Sequence, residues 1–211
     1  MRSETTAFYD VDTQRDFILP DGRLHASGAE KIIPALRELT LLARRYGIKL
    51  LGSVDKHQPG DRELERNGGE YPDHCMAGTA GQRKIDATAP LKAWFVPNRN
   101  LSADERRAAL EHRGEVIFEK QDFDVFVGNR SADRLLADLL RGYRDVVVYG
   151  VVTEICVDHA VRGLRKFGLK LHVVTDAIAD IGEHGREFRA KWRKEGVDLI
   201  TLARLKQRLS H

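Results

Sequence analysis

The stretch GVVTEICVDHAVRGL, residues 150–164, puts Cys156 where an apolar run gives way to a helical pattern. A cysteine there is either a small core residue or a nucleophile. At a strand-to-helix turn its thiolate would feel free N–H groups and the positive helix end, which lower a thiol pKa and can hold an oxyanion. Attack by sulfur also needs a proton acceptor and often a cation. DVDTQRDF, residues 10–17, offers the acceptor among Asp10, Asp12 and Asp16, unless these only cap a polar turn. Lys120, closing EVIFEK, offers the cation, unless its stem simply lies along the surface. A second set joins VDKHQPGD to YPDHCMAG. Asp55 and His57, one residue apart, can turn the same way from an extended strand end, and His74 can swing in from the later segment. One carboxylate and two imidazoles suit Zn²⁺, Fe²⁺ or Mn²⁺ with positions left open, although bare spacing is equally met by chance. Cys75 is either a fourth ligand or a buried small residue.

These groups need a scaffold. TAFYDV, IKLLGSV, EVIFEK, DVVVYGV, LKLHVVTDA and VDLITL read as strands. Between them AEKIIPALRELTLLARRYG, SADERRAALEHRG, SADRLLADLLRG, EICVDHAVRGLRKFG and REFRAKWRKEG carry apolar residues at helical spacing. Gly47, Gly114, Gly142, Gly168 and Gly196 stand where helix C-caps are expected. Continuous apolar strands alternating with helices predict an α/β fold, a mostly parallel sheet covered on both faces. Ligands bind beyond the carboxyl ends of such strands. Asp12, Asp55, His57, Lys120 and Cys156 all fall at those ends. Residues 56–90, rich in Gly, Asp and Glu and without periodicity, read as an excursion over that edge.

The length suits a single domain over 1–211. With 42% hydrophobic and 32% charged residues the composition is globular, and no apolar run approaches the ~20 residues that span a bilayer. The opening MRSETTAFYDVD turns polar at once, unlike a signal peptide, and two cysteines do not make a disulfide scaffold, so a reducing cytoplasm is expected. The net charge of +3 is dispersed, and RGLRKFGLK and REFRAKWRKE read as solvated helix faces, so neither nucleic acid nor membrane is expected as a partner.

Five segments in order resemble the isochorismatase-like cysteine hydrolases, and within them the nicotinamidase branch. DTQRDF is similar to the family's D-x-Q-x-D-F, VDKH to its D-x-H pair, and YPDHCMAGTAGQ to its P-x-H-C-x-x-G-T-x-G element. FEK carries the family's lysine, and GVVTEICVDHAV resembles its G-x-x-T-x-x-C-V nucleophile element. The resemblance implies a three-layer α/β/α sandwich and a triad of Cys156, Asp12 and Lys120. It implies a cis peptide between Val151 and Val152, and oxyanion donors at the Val152 and Cys156 N–H groups. It implies one divalent metal ion, zinc before iron or manganese, at Asp55, His57 and His74, with Phe17 and Tyr71 flanking the substrate ring and Asp16 supporting from behind. The implied reaction is hydrolysis of a small-molecule amide, nicotinamide first, in NAD salvage, and a homo-oligomer is expected. Three positions depart from the pattern. Lys56 stands where an aromatic residue is common, Tyr71 replaces a tryptophan, and QPGDRELE lacks a further histidine, leaving Asp61, Glu63 or water for that place. The alternatives are a metal-free amidase for a carbamoyl or ureido compound, a non-catalytic ligand-binding relative, and redox sensing through Cys75 and Cys156.

Overall fold

Strand β1 (Thr6–Val11) is buried along all six residues, so both of its faces are covered. Alternate side chains divide between two cores: Ala7, Tyr9 and Val11 enter one, and Phe8 enters the other. The same division recurs in β5 (Asp145–Val151), where Val146 and Val148 oppose Val147 and Tyr149. A computed structural model describes residues Met1–Leu209. Around these strands lie β2 (Lys49–Asp55), β3 (Ala93–Val96), β4 (Glu115–Lys120), β6 (Lys170–Ala179) and β7 (Asp198–Ile200). All pair in parallel, in the order β3-β4-β2-β1-β5-β6-β7.

The helices form the outer layers. On one face, residues of α3 (Ala103–Glu111), α4 (Val125–Gly128), α5 (Ala132–Leu139), α6 (Asp158–Arg165) and α7 (Gly185–Lys194) close the first core. On the other, α1 (Arg15–Ile18), α2 (Ile33–Tyr46) and α8 (Leu202–Leu209) close the second. The three-layer α/β/α arrangement is as expected. Among the described residues no helix is long and apolar enough to cross a membrane.

Three details correct the sequence reading. Strand β3, AWFV, is absent from the sequence reading, because an edge strand of four residues with Phe95 45% exposed is shorter than the strand beside it. The expected last strand VDLITL ends at Ile200, and α8 takes Leu202 into its own apolar stripe with Leu205 and Leu209. Gly114 does not cap α3, which ends at His112 in extended backbone. A Cβ on Gly114 would lie 2.0 Å from the Lys92 carbonyl oxygen, so the residue serves a close backbone crossing instead.

Candidate active site

Register alone brings several of the expected residues together. Asp55 and Lys120 are direct partners across the parallel β2 and β4 ladder, and both end their strands. Asp12 follows β1 with φ 46, a left-handed turn that an aspartate tolerates better than most side chains. Gln14 fixes that turn: its amide donates to the carbonyls of Asp55 (2.8 Å) and Gln82 (2.6 Å), and its side-chain oxygen accepts the Asp55 N–H at 2.6 Å. Gly150 lets β5 approach β1, since a Cβ there would sit 2.0 Å from the Val11 oxygen. After β5 the Val151–Val152 peptide is cis, and a π-type turn, Thr153–Val157, carries Cys156 back over the edge.

The result is a buried charged cluster. Lys120 Nζ lies 3.7 Å from Cys156 Sγ and 3.1 Å from Asp12 Oδ2, and it donates to Asp55 Oδ1. Lys120, Asp12, Asp55 and Cys156 are all buried. Neither oxygen of Asp12 has an aligned hydrogen bond. One carboxylate oxygen each of Asp12 and Asp55 lies within 4.8 Å of the sulfur, a grouping that could hold a cation, but the Lys120 ammonium already fills that role. Burial opposes that ammonium, yet Asp12 and Asp55 more than offset it and hold the amine charged beyond the ordinary lysine range. The thiol departs from the expectation of a lowered pKa. Burial pushes Cys156 well above its ordinary value, Lys120 opposing and Asp12 and Asp55 adding to it.

The second group lies beside the first through Asp55. Ligand-type atoms of Asp55, His57, Glu63 and His74 fall within 4.8 Å of one another. His57 Nε2, His74 Nε2 and Glu63 Oε2 are buried without hydrogen-bond partners. Glu63 Oε1 stands 3.6 Å from His57 Nε2 and 3.4 Å from His74 Nε2, too far for strong hydrogen bonds and fitting for shared ligation. Asp61 stands elsewhere: its carboxylate is 3.1 Å from His57 Nδ1 and accepts the Gln58 N–H, so it orients the ring from behind. Of the candidates for the place of the absent histidine, Glu63 is the one that faces it. Burial of the Glu63 carboxyl is outweighed by the two imidazoles and Lys120, which hold it well below the usual range. His57 moves up, burial being overcome by Glu63 and Asp55. Two imidazoles and two carboxylates converging on one point with unpartnered atoms fit a divalent cation.

Cys75 is not part of this group. It is fully buried, and its N–H donates to Asp16 Oδ2 at 2.7 Å. Asp16 also accepts the Arg23 N–H at 3.1 Å, so it ties α1 to the excursion and supports from behind. Lys56, between two candidate ligands, turns away from the cluster and pairs with Glu119 at 2.9 Å.

Residues of both groups meet on one narrow cavity. Cys156, Val152, Asp55, Glu63 and His74 form its polar end, and Phe17 and Tyr71 line it as expected. The Phe17 ring packs on His74 with centroids 5.4 Å apart, and Tyr71 meets His74 edge-on at 6.3 Å. Leu24, Phe123, Ile155 and Ile181 complete the wall and were not foreseen. Phe123 follows the end of β4 by three residues, a position the strand-end rule could have flagged. Ile181 follows the end of β6 by two residues, and Leu24 has no such signal.

A thiol, an acid and an amine thus meet at the carboxyl edge of a parallel sheet in a doubly wound α/β fold. Residues 6–204 match the family model described as the isochorismatase domain, and the chain belongs to that family. Three solved structures are similar along nearly the whole chain. N-carbamoylsarcosine amidase from Thermoplasma acidophilum is 26% identical, covering 94% of this chain and 96% of its own, with a TM-score of 0.69. The pyrazinamidase/nicotinamidase from Streptococcus mutans UA159 is 25% identical, with coverages of 92% and 99% and a TM-score of 0.70. The pyrazinamidase of Pyrococcus horikoshii, solved in complex with zinc, is 24% identical, with coverages of 93% and 99% and a TM-score of 0.73, and shows the shared fold.

Proposed function

We propose that the protein is a metal-containing cysteine amidohydrolase that converts nicotinamide and water to nicotinate and ammonia. The observation that carries this reading is the meeting of a thiol and a set of unpartnered ligand-type atoms around one cavity. One is Cys156, with Lys120 Nζ at 3.7 Å; the other is the His57, His74 and Glu63 set with free ligand atoms. A planar ring amide suits a small cavity lined by Phe17, Tyr71 and Phe123. The similarity to a pyrazinamidase/nicotinamidase and to a zinc-bound pyrazinamidase supports the substrate class and zinc.

In this mechanism Asp12 takes the thiol proton, and Cys156 Sγ attacks the carboxamide carbon. The carbonyl π pair moves to oxygen, where the Val152 and Cys156 N–H groups hold the oxyanion. Collapse breaks the C–N bond, and Asp12 returns its proton to the departing nitrogen, which leaves as ammonia. A water, deprotonated by Asp12, then attacks the thioester, and the second collapse releases the acid and restores the thiol. Lys120 stays charged throughout and balances the negative charge that moves between Asp12 and sulfur. Asp55, His57, His74 and Glu63 would hold the divalent ion, which when bound offers an open position to a ring nitrogen and so orients the ring.

The test is ammonia release from nicotinamide by zinc-loaded protein. Release that disappears in Cys156→Ala is expected, and no release from the intact loaded protein ends the nicotinamidase reading. The second reading, an amidase for a carbamoyl compound, is favoured by the likeness to N-carbamoylsarcosine amidase. Metal-free protein active on carbamoyl amides would support it.

A further inference from the structure

We propose that Glu154 is a positioning residue for the apolar wall of the cavity, and that through this wall it limits the size of the group that reaches Cys156. The inference rests on the reading of that cavity as an amide site. Five residues, 180–184, join the end of β6 to the start of α7. Within them Ile181 turns its side chain into the cavity beside Ile155 and Cys156. Nothing in the sheet ladder holds this short segment, because β6 ends at Ala179.

The turn that carries the nucleophile holds it instead. Glu154 Oε2 accepts the Ile181 N–H at 3.1 Å, and Oε1 accepts the Gly182 N–H at 3.3 Å. The neighbouring Thr153 hydroxyl donates to the Ala179 carbonyl at 3.0 Å in a buried contact. From the far side Arg189 of α7 grips Asp180 with two bonds of 2.9 and 2.8 Å. Ile181 thus sits between two anchored neighbours, with its own amide bonded to a residue two positions from the sulfur. Movement of the wall and movement of the Cys156 turn are tied together by one carboxylate. A carboxylate accepting two backbone N–H groups is suited to this, since charge-assisted bonds are the stronger kind.

The experiment compares intact protein, Glu154→Ala and Glu154→Gln. Hydrogen exchange is read at the Ile181 and Gly182 amides. Cys156 alkylation is read with a small iodoacetamide and a bulky N-phenylmaleimide. In Glu154→Ala, exchange at the two amides rises about tenfold or more, while the amides of β5 keep their rates. The ratio of bulky to small alkylation rises severalfold, and KM for the amide rises with kcat within about twofold. Glu154→Gln, which keeps an accepting oxygen, recovers part of each effect. Unchanged exchange at both amides overturns the proposal, as does an unchanged alkylation ratio. A general loosening that includes β5, not rescued by glutamine, also overturns it, because that is the mark of a merely structural residue. If intact protein releases no ammonia from any amide, the functional reading fails, and exchange and alkylation still judge the role of Glu154.

Discussion

Two charge clusters occupy opposite ends of the same sheet, and they are finished differently. At the amino ends of the strands, His172 of β6 lies between Asp145 of β5 and Asp198 of β7. Its Nε2 is 2.7 Å from Asp145 and its Nδ1 2.8 Å from Asp198. Arg208 of α8 completes the shell of Asp198. Among the described residues no fully buried side-chain atom of this cluster is left without a partner, and Asp145, Asp198 and Arg208 reach partly into solvent. At the carboxyl ends, Lys120 likewise sits between two aspartates, but oxygens of Asp12 and Glu63 and ring nitrogens of His57 and His74 have no hydrogen-bond partner, and Glu63 and His74 line a cavity. Leaving a buried polar group unpaired costs about 1–3 kcal/mol, so a fold keeps such groups where something else uses them. The contrast is between a partly solvated strut and a buried group that reaches a cavity.

Substitutions that should have unlike consequences at the two ends can break this comparison. Lys120→Met should lower kcat/KM by roughly 10²–10⁴-fold, because the thiolate and Asp12 lose their balancing charge. Steady-state ammonia release measures it, and a change under threefold would mean the amine is a strut too. Glu63→Gln should weaken binding of a divalent ion by about 10²-fold or more, and Asp61→Asn, which only orients His57, by about tenfold. Zinc titration calorimetry reads both, and the reverse order would return Asp61 to the ligand position. His172→Gln should destabilise the fold by about 1–3 kcal/mol, leaving one carboxylate poorly paired while kcat/KM stays within about twofold. Denaturant unfolding beside the activity assay checks this, and lost activity at retained stability would contradict it.

The smallest effect concerns acid. Burial opposes the Asp198 carboxylate, but Arg208 and His172 hold its pKa below the ordinary value. A depressed acid adds stability above its unfolded pKa, near ~4, and that stability is lost as pH falls toward the folded value. Unfolding midpoints should therefore drop below about pH 4, and drop less steeply in His172→Gln. Equal slopes for the two proteins would remove Asp198 from the account.

Much of this was legible in the sequence where a residue type and a strand end coincide. Asp12, Asp55, His57, Lys120 and Cys156 each close or follow an apolar run, and a parallel sheet gathers such ends along one edge. Three things were not legible. The ladder register makes Asp55, not only Asp12, the partner of Lys120, and register is a property of two strands rather than one. The choice between Asp61 and Glu63 depends on how the excursion folds, which no periodicity announces. The thiol's raised pKa comes first from burial and then from carboxylates brought in by distant strands, neither of which the local turn pattern at Cys156 contains. The apolar wall at Leu24 and Ile181 likewise belongs to connecting segments, whose paths are set by contacts such as the one at Glu154.

The most direct measurement is ammonia release by zinc-loaded Asp12→Asn, compared with the intact protein on nicotinamide. The substitution keeps size and removes the proton acceptor. An acid that does the chemistry predicts a fall of about 10³-fold or more in kcat, while Lys120 keeps Asp55 as its partner. Activity retained within tenfold would show that the Asp12 carboxylate is not the working base, and the distinction between the two ends of the sheet would fall with it.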